Sequence, residues 1–316
     1  MTDTVFLFPG QGSQYVGMGK QLFERYAVVQ RMFADASQIV GRDLQALCFE
    51  GPEATLVQTD NVQPAITLVN LACLAALREE GVDARAAAGH SLGEYSALYA
   101  AGVFTLEDTL ALVAFRGAAM REAADRHAGG MLAVFGLGLE TLTGICGEVA
   151  TVGSVEVANH NSPTQLILTG EKEALQRAGE LAKKAGAKLI VPLKVSGPWH
   201  SRFMGEASDR MRQRLQQASI GSFSIPVMAN VTGQPYEQDP AAVRETLALQ
   251  MIRPVRWSDS VQSLRSQGHG TFVEVGPGKV LSGLVRDIDR SAKTLNVQDA
   301  DTLSKALTAL ANSVAS

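Results

Sequence analysis

Gly89-His90-Ser91-Leu92-Gly93 is a G-x-S-x-G pentad, the pattern that lets a sharp strand-to-helix turn lift a serine hydroxyl clear of a sheet. Such a hydroxyl is a weak nucleophile at neutral pH and needs a base within hydrogen-bond reach, a task suited to histidine. The chain has five histidines. His90 adjoins the serine and reads as a packing or hydrogen-bonding residue beneath the turn. His127, in RHAGG, and His269, in QGHG, read as solvated loop residues, and His160, in ANHNSP, is a weaker candidate for lining a cleft. His200 follows a strand and the turn Ser196-Gly197-Pro198-Trp199, and is the expected base. A third group should hold its tautomer; Asp259, Glu274 and a backbone carbonyl are all open. Arg116 lies among Val113, Ala114, Phe115, Ala118 and Ala119, so its guanidinium is expected to be partly buried and to need an anion. That anion is either internal, from Glu94 or Glu122, or a carboxylate on the substrate.

These residues must be carried by elements that bring them together. A β-rich run at residues 4–8 leads into the turn-rich PGQGSQYVGMG of residues 9–19. Helices are predicted over 21–40 and 61–79, a small-residue strand over 84–88 and a helix over 94–101, so that strand, turn and helix meet at Ser91. A helical stretch carries Arg116. From residue 129 the pattern changes to strand 131–137, helix 140–149, strands 155–159 and 165–170, helix 172–184 and strand 188–194. This β-α-β-β-α-β order is ferredoxin-like. The remainder returns to α/β alternation, with strands over 226–230 and 271–275, helices over 241–250, 259–267 and 280–287, and an amphipathic helix after Asp299. The expected fold is an α/β-hydrolase-like body with a parallel sheet, made of residues 1–128 and 196–316, with a small ferredoxin-like α+β domain inserted at 129–195.

Length and composition exclude several classes. The 316 residues are 46% hydrophobic and 19% charged, the profile of a folded protein with a substantial core. The net charge is −4 and no segment concentrates lysine and arginine, so neither nucleic acid nor an anionic membrane is an expected partner. Cys48, Cys73 and Cys146 are too scattered for a disulfide framework or a metal site. The first apolar run, residues 5–8, is too short to target or span a membrane, and the expected location is cytoplasmic. The Gly-x-Gly of EVGPGKVL, residues 274–281, lacks a dinucleotide turn's third glycine and reads as a strand-to-helix turn.

Over roughly residues 5–295 the sequence resembles the malonyl-CoA:acyl carrier protein transacylases and the acyltransferase domains of fatty-acid and polyketide synthases. FPGQGSQYVGMG (8–19), GHSLGEYSAL (89–98), FRGAAM (115–120), ANHNSP, GPWHS, residues 250–257 and EVGPGKVL carry that resemblance in order. It implies that Ser91 forms an acyl ester with His200 as base, and that the N–H groups of Gln11 and Leu92 form an oxyanion hole. It also implies that the Gln250 carbonyl orients His200, and that Arg116, Met120, Trp199 and Asn161 contact the acyl group, Arg116 through the malonyl carboxylate. Trp199 stands where malonyl-selective members usually carry Phe and methylmalonyl-selective ones Ser, implying a preference for malonyl. The implied activity moves malonyl from malonyl-CoA to the phosphopantetheine thiol of an acyl carrier protein. No metal or tightly bound cofactor is implied; the alternatives are a proofreading acyl hydrolase and a non-catalytic docking subunit. Because carriers are acidic, Lys184, Lys188, Lys194 and Arg202 are candidate contacts.

Overall fold

The structure, a computed structural model, describes residues 3–314. The described residues form strands β1 (Thr4–Phe8), β2 (Ala86–Gly89), β3 (Gly129–Phe135), β4 (Val155–Ser162), β5 (Gln165–Glu171), β6 (Leu189–Pro192), β7 (Val227–Met228), β8 (Thr271–Val275) and β9 (Lys293–Val297). They build two sheets, ordered β7-β2-β1-β8-β9 and β4-β5-β3-β6.

The first sheet is parallel throughout. Its central strand, TVFLF, is buried along its whole length, the continuous apolar pattern of a strand covered on both faces. Beside it, β2 is Ala-Ala-Ala-Gly, all buried, and its small side chains let the following helix, Gly93–Ala100, press close. The register pairs Phe8 with Gly89, so the loops that leave β1 and β2 start side by side at the carboxyl edge, where ligands of open parallel sheets bind. That register is what brings Gln11 near Ser91.

The second sheet is antiparallel, and its strands alternate with period two. Leu132 and Val134 of β3 join Leu166 and Leu168 of β5 in a core with helices Leu139–Glu148 and Lys172–Lys184. Met131, Ala133 and Phe135 of β3 and Ile167 of β5 turn the other way, toward a cavity above Ser91. A one-residue slip would exchange the two faces.

Several elements follow the sequence closely, helix Lys172–Lys184 and strand Thr271–Val275 among them. The helix predicted over 21–40 is instead two, Lys20–Arg25 and Ala27–Val40. Tyr26 between them is extended, with its ring buried and its hydroxyl donating to Glu80 Oε1 at 2.7 Å, a tertiary anchor that overrides local propensity. The strand predicted over 226–230 shrinks to Val227–Met228, because Asn230 turns its backbone N–H to Glu94. Strand β9 and helix Gly205–Leu215 were not predicted; β9 is an edge strand with only Val297 fully buried, and carries little pattern. Helix Ala300–Val314 follows Asp299, whose side chain accepts from the Thr302 N–H at 2.8 Å, an N-terminal cap. Among the described residues no helix is long and apolar enough to cross a membrane.

Candidate active site

Ser91 occupies the turn between β2 and helix Gly93–Ala100 with φ 51°. Among the described residues it shares positive φ, glycines aside, only with His200, at φ 56°. Left-handed backbone at such residues costs about 1–3 kcal/mol and persists only where the surroundings enforce it. Here they do. Asn230 Oδ1 accepts from the Ser91 N–H at 2.7 Å and Asn230 Nδ2 donates to the Gly89 carbonyl at 2.7 Å, a clamp across the turn. The two glycines of the pentad are steric necessities: a Cβ at Gly93 would lie 1.9 Å from the Phe8 carbonyl oxygen, and one at Gly89 1.9 Å from the Gly93 carbonyl carbon.

The Ser91 Oγ lies 2.7 Å from His200 Nε2, and His200 Nδ1 lies 2.8 Å from the Gln250 carbonyl oxygen. A carbonyl only accepts, so Nδ1 carries the proton and Nε2 is free to take another from serine. Burial, reinforced by the nearby Arg116 charge, pushes the imidazole down to about 3, so it is neutral at physiological pH. The two carboxylates left open by the sequence do other work. Asp259 pairs with Arg256, and Glu274 accepts from the Leu281 and Ser282 N–H groups at the start of helix Val280–Ile288.

Arg116 is 1% exposed on helix Leu106–Arg126. Its Nη1 donates to Gln63 Oε1 at 2.9 Å, and its Nη2 to Gln250 Oε1 at 2.9 Å and to Ser91 Oγ at 3.2 Å. The guanidinium lies over the Tyr95 ring at 5.8 Å, and its Nε has no partner. The internal salt bridge considered from sequence does not form: Glu122 pairs with Arg210 and Arg126, and Glu94 is reached only through Gln250. Among the described residues Arg116 is therefore a buried cation with no carboxylate in direct contact, an arrangement that fits an incoming anion.

Ser91, His200, Arg116, Gln11, Leu92, Met120, Trp199 and Asn161 all line one cavity of about 360 Å³, with Gln250 behind His200. Among the described residues the N–H groups of Gln11 and Leu92 have no intramolecular acceptor, and the Leu92 N–H adjoins the amino end of helix Gly93–Ala100, where anions are favoured. Asn161 Oδ1 lies 2.8 Å from His90 Nε2, and Met120 Sδ accepts from Gln63 Nε2 at 3.3 Å. Met131, Ala133, Phe135, Ile167, Leu189 and Val191 form an apolar wall opposite the polar groups. The remaining histidines lie outside the cavity lining: His160 is 3.9 Å from Asp259, His127 ends helix Leu106–Arg126, and His269 bonds Asp3.

Of the basic residues considered for a carrier, Lys188 and Lys194 adjoin the cavity-lining Leu189, Leu193 and Val195 in sequence. Lys184 ends the helix that covers the opposite face of the second sheet, and Arg202 stands 4.0 Å from Glu156. Cys48 and Cys73 are buried free thiols and Cys146 is partly buried. Among the described residues no cluster of three or more His, Cys, Asp or Glu is placed to hold a metal ion. Gln63, Asn230, Tyr236 and the environment of Glu94 were missed by sequence reasoning. Asn230 alone had a signal, its place at the end of a predicted strand.

The chemistry these groups can perform is formation and breakdown of a serine ester beside a cation that selects a negatively charged acyl group. Comparison with known proteins agrees with that class. Residues 5–308 match the family described as the acyl transferase domain. The malonyl CoA-acyl carrier protein transacylase of Bacillus subtilis is 40% identical over 311 residues, 98% of each chain. The crystal structure of the malonyl CoA-acyl carrier protein transacylase of Clostridium perfringens superimposes with a TM-score of 0.95 at 38% identity, over 99% of each chain. A malonyl-transacylase solved in complex with a type II polyketide synthase acyl-carrier protein superimposes with a TM-score of 0.94 at 40% identity, over 98% of this chain and 100% of that one. The chain belongs to the acyl transferase domain family.

Proposed function

We propose that this enzyme transfers a malonyl group from malonyl-CoA, through an ester on Ser91, to the phosphopantetheine thiol of an acyl carrier protein, for fatty-acid or polyketide synthesis. The observation that carries the acyl preference is Arg116: a buried guanidinium without an anionic contact, 3.2 Å from the nucleophilic oxygen. Ser91 Oγ attacks the thioester carbonyl as its proton passes to His200 Nε2. The oxyanion accepts hydrogen bonds from the Gln11 and Leu92 N–H groups, each such donor being worth about 2.7–4 kcal/mol in comparable sites. The carbon–sulfur bond then breaks, His200 returns the proton to the departing thiolate, and free CoA leaves. Carrier thiol enters by the reverse sequence and regenerates the hydroxyl.

Arg116 takes the malonyl carboxylate in bidentate fashion, with Met120, Asn161 and Trp199 shaping the rest of the acyl site. The Trp199 ring, 5% exposed at the cavity wall, crowds an α-methyl branch and favours malonyl over methylmalonyl. CoA and phosphopantetheine come as parts of the substrates, with no tightly bound cofactor, and the enzyme works in the cytoplasm. Lys188, Lys194 and Arg202 contribute to carrier docking. Residues 1–128 and 196–316 form an α/β-hydrolase-like domain and 129–195 a ferredoxin-like insert, a division supported by the separation of β3 to β6 into their own sheet.

The test is to mix the protein with malonyl-CoA, with and without holo carrier protein. Malonyl-carrier is expected to accumulate faster than free malonate. Release of malonate faster than carrier loading would identify a hydrolase instead.

A further inference from the structure

The pentad is followed by a carboxylate that the steps above leave idle. Glu94 is fully buried on helix Gly93–Ala100, and no cation contacts it among the described residues. Burial lifts its carboxyl to about 7, even with hydrogen bonds from Tyr236, Gln250 and the Asn230 N–H favouring the ionised form. Three donors converge on it: Tyr236 Oη at 2.5 Å and the Asn230 N–H at 3.0 Å on Oε1, and Gln250 Nε2 at 2.6 Å on Oε2. Gln250 Nε2 spends its other proton on the Ser91 carbonyl at 2.7 Å, while Gln250 Oε1 accepts from Arg116 Nη2 at 2.9 Å. An amide held between two accepting oxygens and a cation has one orientation, NH2 to the acceptors and oxygen to the cation.

We infer that Glu94 is a positioning residue for acyl selection: by accepting from Gln250 Nε2 together with the Ser91 carbonyl it holds that amide with its oxygen turned to Arg116, and so aims the guanidinium at the carboxylate end of the acyl group. The inference rests on Arg116 being the partner of that carboxylate. Replacing Glu94 with glutamine keeps the shape but supplies a competing NH2. The Gln250 amide can then turn over, and its NH2 would face the guanidinium, a donor against a donor. Arg116 loses a fixed acceptor, and selection of a charged acyl group suffers more than ester formation as such.

The experiment measures second-order rate constants for Ser91 ester formation with malonyl-CoA and with acetyl-CoA, by intact mass, in wild type, Glu94→Gln, Glu94→Asp and Gln250→Met. Wild type is read first, since failure to form a malonyl ester there removes the functional reading itself. In Glu94→Gln the malonyl-to-acetyl ratio is expected to fall about ten-fold or more, the scale of a lost hydrogen bond to a charged group. In Glu94→Asp it stays within about three-fold of wild type, because a carboxyl acceptor remains. An unchanged ratio in Glu94→Gln, or a parallel fall of both rates, overturns the inference. If Glu94→Gln is not recovered folded, Gln250→Met carries the test, since it keeps the main-chain carbonyl on His200 and deletes the amide. There too the ratio must fall, and an unchanged ratio overturns the inference.

Discussion

The parallel five-stranded sheet and the antiparallel four-stranded sheet face the same cavity with opposite characters. On the parallel side the polar atoms are locked: Ser91 is clamped by Asn230, His200 by the Gln250 carbonyl and Arg116 by Gln63 and Gln250. The antiparallel side offers alternate apolar side chains of β3 and β6, with Asn159 and Asn161 of β4 and Gln165 of β5 as its polar members, and its edge strand β6 leaves Leu189 54% and Val191 37% exposed. Reactivity is placed where loops leaving adjacent parallel strands converge on free N–H groups, which antiparallel strands with hairpin returns do not provide. The antiparallel sheet needs only to keep its alternation, so its cavity face can bound a substrate channel while its other face does the folding.

That division can be broken or sharpened by measurement. The largest effect is expected at the locked side. His200→Ala removes the proposed base without touching the second sheet, and should slow ester formation from malonyl-CoA by about 10²–10⁴ in rate; a loss smaller than ten-fold would place the base elsewhere. Next in size is the hidden face of the second sheet. Leu168→Ala, at a fully buried position, should cost about 2–5 kcal/mol in urea unfolding, whereas Leu189→Ser on the exposed edge should stay within about 0.5 kcal/mol. Equal costs at the two positions would mean that both faces of the sheet are structural.

The smallest expected effect is with pH. Burial and Arg116 hold the His200 pKa well below its ordinary 6.5, so its basic form persists as pH falls through the range where a free imidazole would protonate. Ester formation from acetyl-CoA, which has no carboxylate for Arg116 to meet, should therefore stay level from about pH 8 down to about pH 5, a window in which an unperturbed histidine changes charge. An acid limb centred near 6.5 would show an unperturbed base.

The sequence made the candidate reacting groups that the structure brings together legible and left their supports hidden. Ser91 announced itself through a small-residue turn between a predicted strand and helix, His200 through its place after a predicted strand and the turn Ser196-Gly197-Pro198-Trp199, and Arg116 through a charge embedded in apolar neighbours. The second sheet was legible too, because its alternation and two amphipathic helices are local patterns. What escaped were the amides. Gln63, Asn230 and Gln250 reach Arg116 and Ser91 across long stretches of chain, Gln250 and Ser91 being separated by 159 positions, and a neutral side chain in a helix or at a strand end leaves no periodic trace. The Gln250 carbonyl was suggested only by resemblance, since a main-chain oxygen has no residue type to read. Glu94 was weighed as a direct partner of Arg116; the structure places an amide between them.

The central claim is that one hydroxyl carries the acyl group. Intact-mass analysis after brief exposure to malonyl-CoA tests it most directly. Wild type is expected to gain a single malonyl adduct, mapped by peptide digestion to Ser91 and discharged on adding holo carrier, while Ser91→Ala gains none and loads no carrier. A malonyl adduct retained by Ser91→Ala, or carrier loaded by that variant at the wild-type rate, would contradict the account.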